Sequence, residues 1–243
     1  MFFKCSIEPS YLDLKILKEF IKSCHWRYFR KYDILGHHGL GWGFAYLSED
    51  ENNLVIKRDI TPIYHADWKS LSKINTRFLL VHARKTLPWK RNIGDVHPIS
   101  IKDKYLMTHN GIIKNFPSIK LINPRLDKIY NETDLDTRKY LCLIINELQE
   151  GRNLKIGLEN IFKEIKIGAG ANAFLFNSQT CNVITNHKNN FNGRHHTLFL
   201  SKNHNNILLS TTQLTENARE VPNYSLIQID LNDMNINMLK LEF

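Results

Sequence analysis

Apolar residues recur at helical spacing between Ser10 and Cys24, where Leu14, Leu17, Ile21 and Cys24 share one face. The spacing predicts a helix, and Ser10 with Asp13 supplies an N-terminal capping pattern. A second helix is predicted after Asn131 to Asp136, with Leu141, Ile144, Ile145 and Leu148 on one face, Thr133 as cap and Asp136 at the reciprocal capping position. A third carries Leu158, Ile161, Phe162 and Ile165, with Gly168 and Gly170 just past its end. Short apolar runs between polar turns predict strands at 2–7, 41–48, 52–58, 77–83 and 104–109. More follow at 171–176, 181–185, 196–201, 206–211, 224–231 and 236–242. Helices between two groups of strands, without βαβ alternation, imply an α+β fold of sheets packed on each other with helices outside.

The 243 residues, 42% hydrophobic and 23% charged, are read as one soluble domain spanning 1–243. No stretch of ~18 apolar residues and no basic segment before an apolar core occurs, so neither membrane spanning nor secretion is expected. A net charge of +9 favours acidic partners, yet the lysines are scattered and form no tract, so a nucleic-acid partner is not expected. Cys5, Cys24, Cys142 and Cys181 lack CxxC spacing, which excludes a zinc knuckle and a disulfide framework and fits a reducing cytoplasm. The Asn-rich stretches at 186–196 and 202–206 read as exposed loops.

Between Val81 and Asn115 three histidine-bearing motifs, VHARK, DVHPI and MTHNG, end strand-like runs. Arg84 offers a planar, permanently charged fork suited to a carboxylate. Asn110-Gly111 is read as a turn closing a strand, with backbone N–H groups able to meet a developing oxyanion. Carboxylate binding beside oxyanion stabilisation points to amide chemistry on an amino acid. Gly36, Gly39, Gly41 and Gly43 crowd a loop entering a strand, where the backbone must pass close to something. Each feature also has an ordinary structural reading: Arg84 as a surface arginine past a strand, Asp134 as a charge in a helix's first turn, Asn110-Gly111 as a hairpin turn, and His82, His97 and His109 as packed histidines. No metal is expected, because His37-His38 and His195-His196 are sequence neighbours that point to opposite faces of a strand, with no carboxylate spaced to join them.

The order HGLGWG (38–43), HARK (82–85), HPI (97–99), HNG (109–111) and TDLD (133–136) resembles the class II glutamine amidotransferases, whose members use an N-terminal cysteine as nucleophile. The likeness covers about the first 150 residues by motif, with Leu209-Ser210-Thr211 a further correspondence near the end. The resemblance implies the four-layer αββα sandwich of the N-terminal-nucleophile hydrolases and a reaction in which a thiolate attacks the side-chain amide of glutamine or a γ-glutamyl compound, releasing ammonia from a thioester. It implies Cys5 as nucleophile, Asn110 and Gly111 as oxyanion hole, Arg84 for the α-carboxylate and Asp134 for the α-ammonium. His97 is placed with the substrate contacts, and His82, His109, Gly41 and Trp42 are supports. No cofactor is implied. The partner is glutamine or a γ-glutamyl small molecule, with a separate ammonia-accepting synthase as a further partner, since no synthase domain follows within 243 residues.

Departures from the family pattern are specific. Phe2 stands where the family places cysteine, and Cys5 follows Met-Phe-Phe-Lys, so its nitrogen is an amide without the basicity of a free α-amine. Either four residues are clipped to expose Cys5, or the chain is a catalytically silent binding or regulatory protein. Leu40 replaces an aspartate, Thr86-Leu87 replace a small residue and a hydroxyl residue, Ile99 replaces phenylalanine, and Asp136 replaces the usual glutamate.

Overall fold

A computed structural model describes residues 1–25, 37–48, 53–85, 92–101, 104–177, 179–188 and 196–243. Its residues fall into two compact units: Met1–Pro98, Thr197–Val221 and Asp230–Asn235 in the first, Ile99–His196, Pro222–Ile229 and Ile236–Phe243 in the second.

The first unit is a seven-stranded antiparallel sheet whose β-rich sequence supplies strands β1 (Phe2–Ser10), β2 (Trp42–Leu47), β3 (Leu54–Asp59), β4 (Thr76–Ala83), β9 (Phe199–Lys202), β10 (Asn206–Ser210) and β11 (Arg219–Glu220), in the order β11-β9-β10-β1-β4-β2-β3. β1 therefore lies inside the sheet, with Phe2 facing Val81 of β4 and Ser210 of β10. Helix α1 (Leu14–Cys24) starts where the Asp13 side chain accepts the N–H of Lys15. Ser10, expected to share that cap, ends β1 instead and its hydroxyl donates to Ser6. Leu17, Phe20, Ile21 and Cys24 of α1 pack with Phe2, Trp42, Phe44, Leu79, Val81 and Ala83 in one core. These sheet residues share a face because side chains alternate along a strand.

The second unit is a six-stranded antiparallel sheet in the order β13-β12-β8-β7-β6-β5. Its strands are β5 (Ile99–Ile101), β6 (Tyr105–Asn115), β7 (Lys166–Asn177), β8 (Thr180–Thr185), β12 (Ser225–Asp230) and β13 (Ile236–Lys240). Three helices accompany it: α2 (Pro124–Glu132), α3 (Asp136–Gln149) and α4 (Leu154–Glu164). Of the predicted apolar face of α3, Leu141, Ile144 and Ile145 are buried and Leu148 is partly so, in one core with Met107, Ile113, Ala173 and Leu175.

Four expectations need correction. Helix α2 was not foreseen in PRLDKIYNE, although Asn123 caps it and Pro124 opens it. Thr133 closes α2, while α3 begins after Leu135. Gly168 and Gly170, read as stop signals just past α4, lie within β7. Asn186 and His187, read as exposed loop, are buried, and the N–H of Asn186 donates to the side chain of Asn172; residues 189–195 lie outside the described residues.

Candidate functional site

Arg84 stands immediately past β4, where the sequence Val-His-Ala-Arg leaves the sheet. Its backbone is pinned on both sides by the glycine loop, its N–H donating to Gly41 O at 2.9 Å and its carbonyl accepting from Leu40 N at 3.3 Å. Gly41 has φ +105, and a Cβ there would lie 2.5 Å from the carbonyl oxygen of Asp59. Only glycine fits that close approach without strain. The next residue, Trp42, pairs with Ala83 and stacks on Phe44 with centroids 5.3 Å apart. The guanidinium of Arg84 is 3.7 Å from the carboxylate of Asp95, an acid in the DVHPI motif to which the sequence reading gave no role. Its Nη1 is buried and has no hydrogen-bond partner among the described residues. A buried guanidinium nitrogen without an acceptor is costly, and a ligand oxygen would satisfy it.

His82 and His97 form a pair. Nδ1 of His97 lies 3.1 Å from Nε2 of His82, the rings meet edge to face at 4.3 Å, and both are 5% exposed. His97, expected to touch substrate, is buried with its ring against His82. Thr86 and Leu87 lie outside the described residues, as does His195. Among the described residues no group of His, Cys, Asp or Glu could hold a metal ion.

Cys5 does not join Arg84. It lies in the middle of β1, paired with Phe78 on one side and Ile207 on the other. Arg84 is six residues further along the strand that carries Phe78, which separates the two by roughly 20 Å. The thiol is 1% exposed, and burial pushes its pKa up to about 12, against a smaller opposing effect of Lys4. Cys5, expected as the nucleophile, is thus a buried ladder residue in the sheet interior. At the Arg84 end of β1 stand Met1 and Phe2, with Met1 O accepting from Thr211 N at 3.1 Å and from the Ser210 hydroxyl at 3.3 Å. The Leu209-Ser210-Thr211 segment thus holds the start of β1.

In the second unit Asn110 and Gly111 lie within β6, opposite Asn172 and Ala171 of β7. They are not the turn that the sequence suggested. Strand pairing continues past them because Gly111 can approach β7 closely; a Cβ there would lie 1.8 Å from Gly170 O. His109 is 3% exposed, with Nδ1 3.1 Å from the Thr137 hydroxyl and Nε2 3.2 Å from Gly170 O. Since a carbonyl only accepts, Nε2 carries the hydrogen in this network. Asp134 is exposed between α2 and α3, with no ion-pair or hydrogen-bond partner among the described residues. Asp136 opens α3, and its two oxygens accept from Thr137 N at 2.7 Å and Ile113 N at 3.1 Å. Asp136, Thr137 and Gly170 were not named as site residues; only the TDLD spacing carried any signal for them.

No protein-family model matches the chain, and no curated protein matches it in sequence. Solved structures do. Glutamine phosphoribosylpyrophosphate (PRPP) amidotransferase from B. subtilis matches all of this chain with a TM-score of 0.61 and 15% identity. A glutamine aminotransferase class-II domain protein from Silicibacter pomeroyi matches over 100% of both chains, with a TM-score of 0.61 and 11% identity. The fold is that of the class II glutamine amidotransferase domains. This chain spans 49% of the PRPP amidotransferase, about half its length. A predicted glutamine amidotransferase from Pseudomonas aeruginosa matches 79% of this chain and 85% of its own, with a TM-score of 0.50 and 14% identity. The α+β class with two antiparallel sheets, expected of a class II glutamine amidotransferase domain, is the one found. At these identities the likeness is one of fold.

Proposed function

We propose that this chain is a binding protein for glutamine or a related γ-glutamyl amino acid, built on the class II glutamine amidotransferase fold and without cysteine thioester chemistry. The observation that carries the reading is the register of β1, which seats Cys5 opposite Phe78 and Ile207 and leaves Phe2 beside Val81, near the strand end from which Arg84 emerges. A thiol raised to about 12 is almost wholly protonated at neutral pH, and its own nitrogen is an amide. Met1, Phe2, Phe3 and Lys4 are all buried, so exposing an amine at Cys5 would strip four residues from the sheet interior.

The ligand class follows from charge. Arg84 supplies a permanent cation with one buried nitrogen lacking an acceptor among the described residues, which suits a carboxylate. On the motif resemblance alone, Asp134 is proposed for an ammonium group and Asn110 with Gly111 for an amide carbonyl. A separate ammonia-accepting synthase belongs to the catalytic reading and not to this one.

Calorimetric titration with L-glutamine and a γ-glutamyl dipeptide tests this, beside an ammonia-release assay. Binding is expected without ammonia release, with affinity reduced about tenfold or more by Arg84→Met, as for loss of a charged hydrogen bond. Ammonia release abolished by Cys5→Ser would sink the proposal, as would the lack of any binding at millimolar ligand.

A further inference from the structure

We infer that Asp136 is a positioning residue that sets the presentation of Asn110 and Gly111, a role that rests on the reading of these two residues as ligand contacts. The carboxylate divides its work. Oδ1 accepts from Thr137 N at 2.7 Å, inside its own helix, as a carboxylate at a helix N-terminus ordinarily does. Oδ2 leaves the helix and accepts from Ile113 N at 3.1 Å, two residues past Gly111. At that place the β6–β7 pairing shifts register, between Gly111 and Ile113 and again between Ile113 and Asn115. Such a shift bends a strand and re-aims its side chains.

The other flank is held from the same helix end. His109 Nδ1 is 3.1 Å from the Thr137 hydroxyl and 3.8 Å from Asp136 Oδ2, while Nε2 reaches Gly170 O at 3.2 Å. Gly170 O is also the group that Gly111 approaches closely. Residues 109 and 113 are therefore both tied to the first turn of α3, and the dipeptide between them has its path fixed at each end. Asp136 stands where the family's usual residue is glutamate. Both are acids whose side-chain oxygens accept from a backbone N–H.

Nuclear magnetic resonance on Asp136→Ala, Asp136→Asn and Asp136→Glu decides the matter through Ile113 amide exchange, the Asn110 side-chain NH2 resonances and the Gly111 amide. Asp136→Ala is expected to speed Ile113 exchange about tenfold or more, to shift the Asn110 and Gly111 signals, and to lower glutamine affinity; Asp136→Glu restores all three. Asp13→Ala, which removes the cap of α1, is the control for general loss of stability and should leave these signals in place. Unchanged Ile113 protection in Asp136→Ala overturns the inference, as does an equal response to Asp13→Ala, or altered resonances with unaltered affinity. If wild-type protein binds no glutamine, the binding function fails, while Ile113 exchange still decides whether Asp136 fixes the segment.

Discussion

Lys4 and Cys5 sit side by side in β1 and are perturbed in opposite senses by the same burial. Lys4 is 3% exposed, and its Nζ donates to Ser10 O and Thr76 O, both at 2.7 Å. Burial lowers its pKa to about 8, so between pH 8 and the ordinary lysine value of 10.5 the unfolded chain binds the extra proton. This contribution makes the fold more stable as pH rises through that window. The thiols of Cys5, Cys24 and Cys142, each raised to about 12 from 9.0 by burial, do the reverse: the unfolded chain ionises first, and stability falls above pH 9. Urea unfolding of wild type and Lys4→Met separates the two. The stability of wild type relative to the variant is expected to grow between pH 8 and 10.5 by up to about 1.4 kcal/mol per pH unit. A pH-independent difference would contradict the assignment. In the native state Cys5 is also expected to resist alkylation at neutral pH and to react only after denaturation, measured by mass spectrometry.

Among the elements, β1 bears most on function. Phe2 and Phe3 are fully buried, one packing towards α1 and Trp42, the other against Phe78 at 5.7 Å. Phe2→Ala and Phe3→Ala should each cost about 3–5 kcal/mol, and a chain starting at Cys5 should fail to fold, which circular dichroism would reveal. A well-folded shortened protein with glutaminase activity would restore the catalytic reading. The sequence made α1, α3 and α4 legible because their apolar residues recur at helical spacing, and most strands because they alternate. It placed Arg84 past a strand and Gly41 in a tight loop. It did not disclose α2, whose charged nine-residue run buries only Leu126 and Tyr130. Nor did it disclose the path of β6: an Asn-Gly pair ordinarily signals a turn, and the Gly170 backbone that lets it stay extended is remote in the chain. The place of Cys5 within the sheet was not legible for a similar reason. Motif order suggests a nucleophile, whereas only the pairing register tells which strand residue reaches the end of the sheet.

For the whole molecule, likeness in fold to the B. subtilis and Silicibacter pomeroyi structures extends over the full chain at 11–15% identity. That identity is too low to carry residue roles, so function rests on side chains individually. The net charge of +9 offers a check of the ligand class at this scale. Binding of an amino acid through Arg84 should weaken only modestly between low and physiological salt, because a half-buried pair is poorly screened, whereas general attraction of polyanions by the scattered lysines should largely vanish. Tight, salt-resistant retention of nucleic acid would point to another function. The interior place of β1 has a bearing on biosynthesis. One of its neighbours, β4, ends at Ala83, but the other, β10, ends at Ser210. A nascent polypeptide thus cannot close this sheet until Ser210 has been synthesised, and until then the apolar β1 strand lacks its partner along one edge.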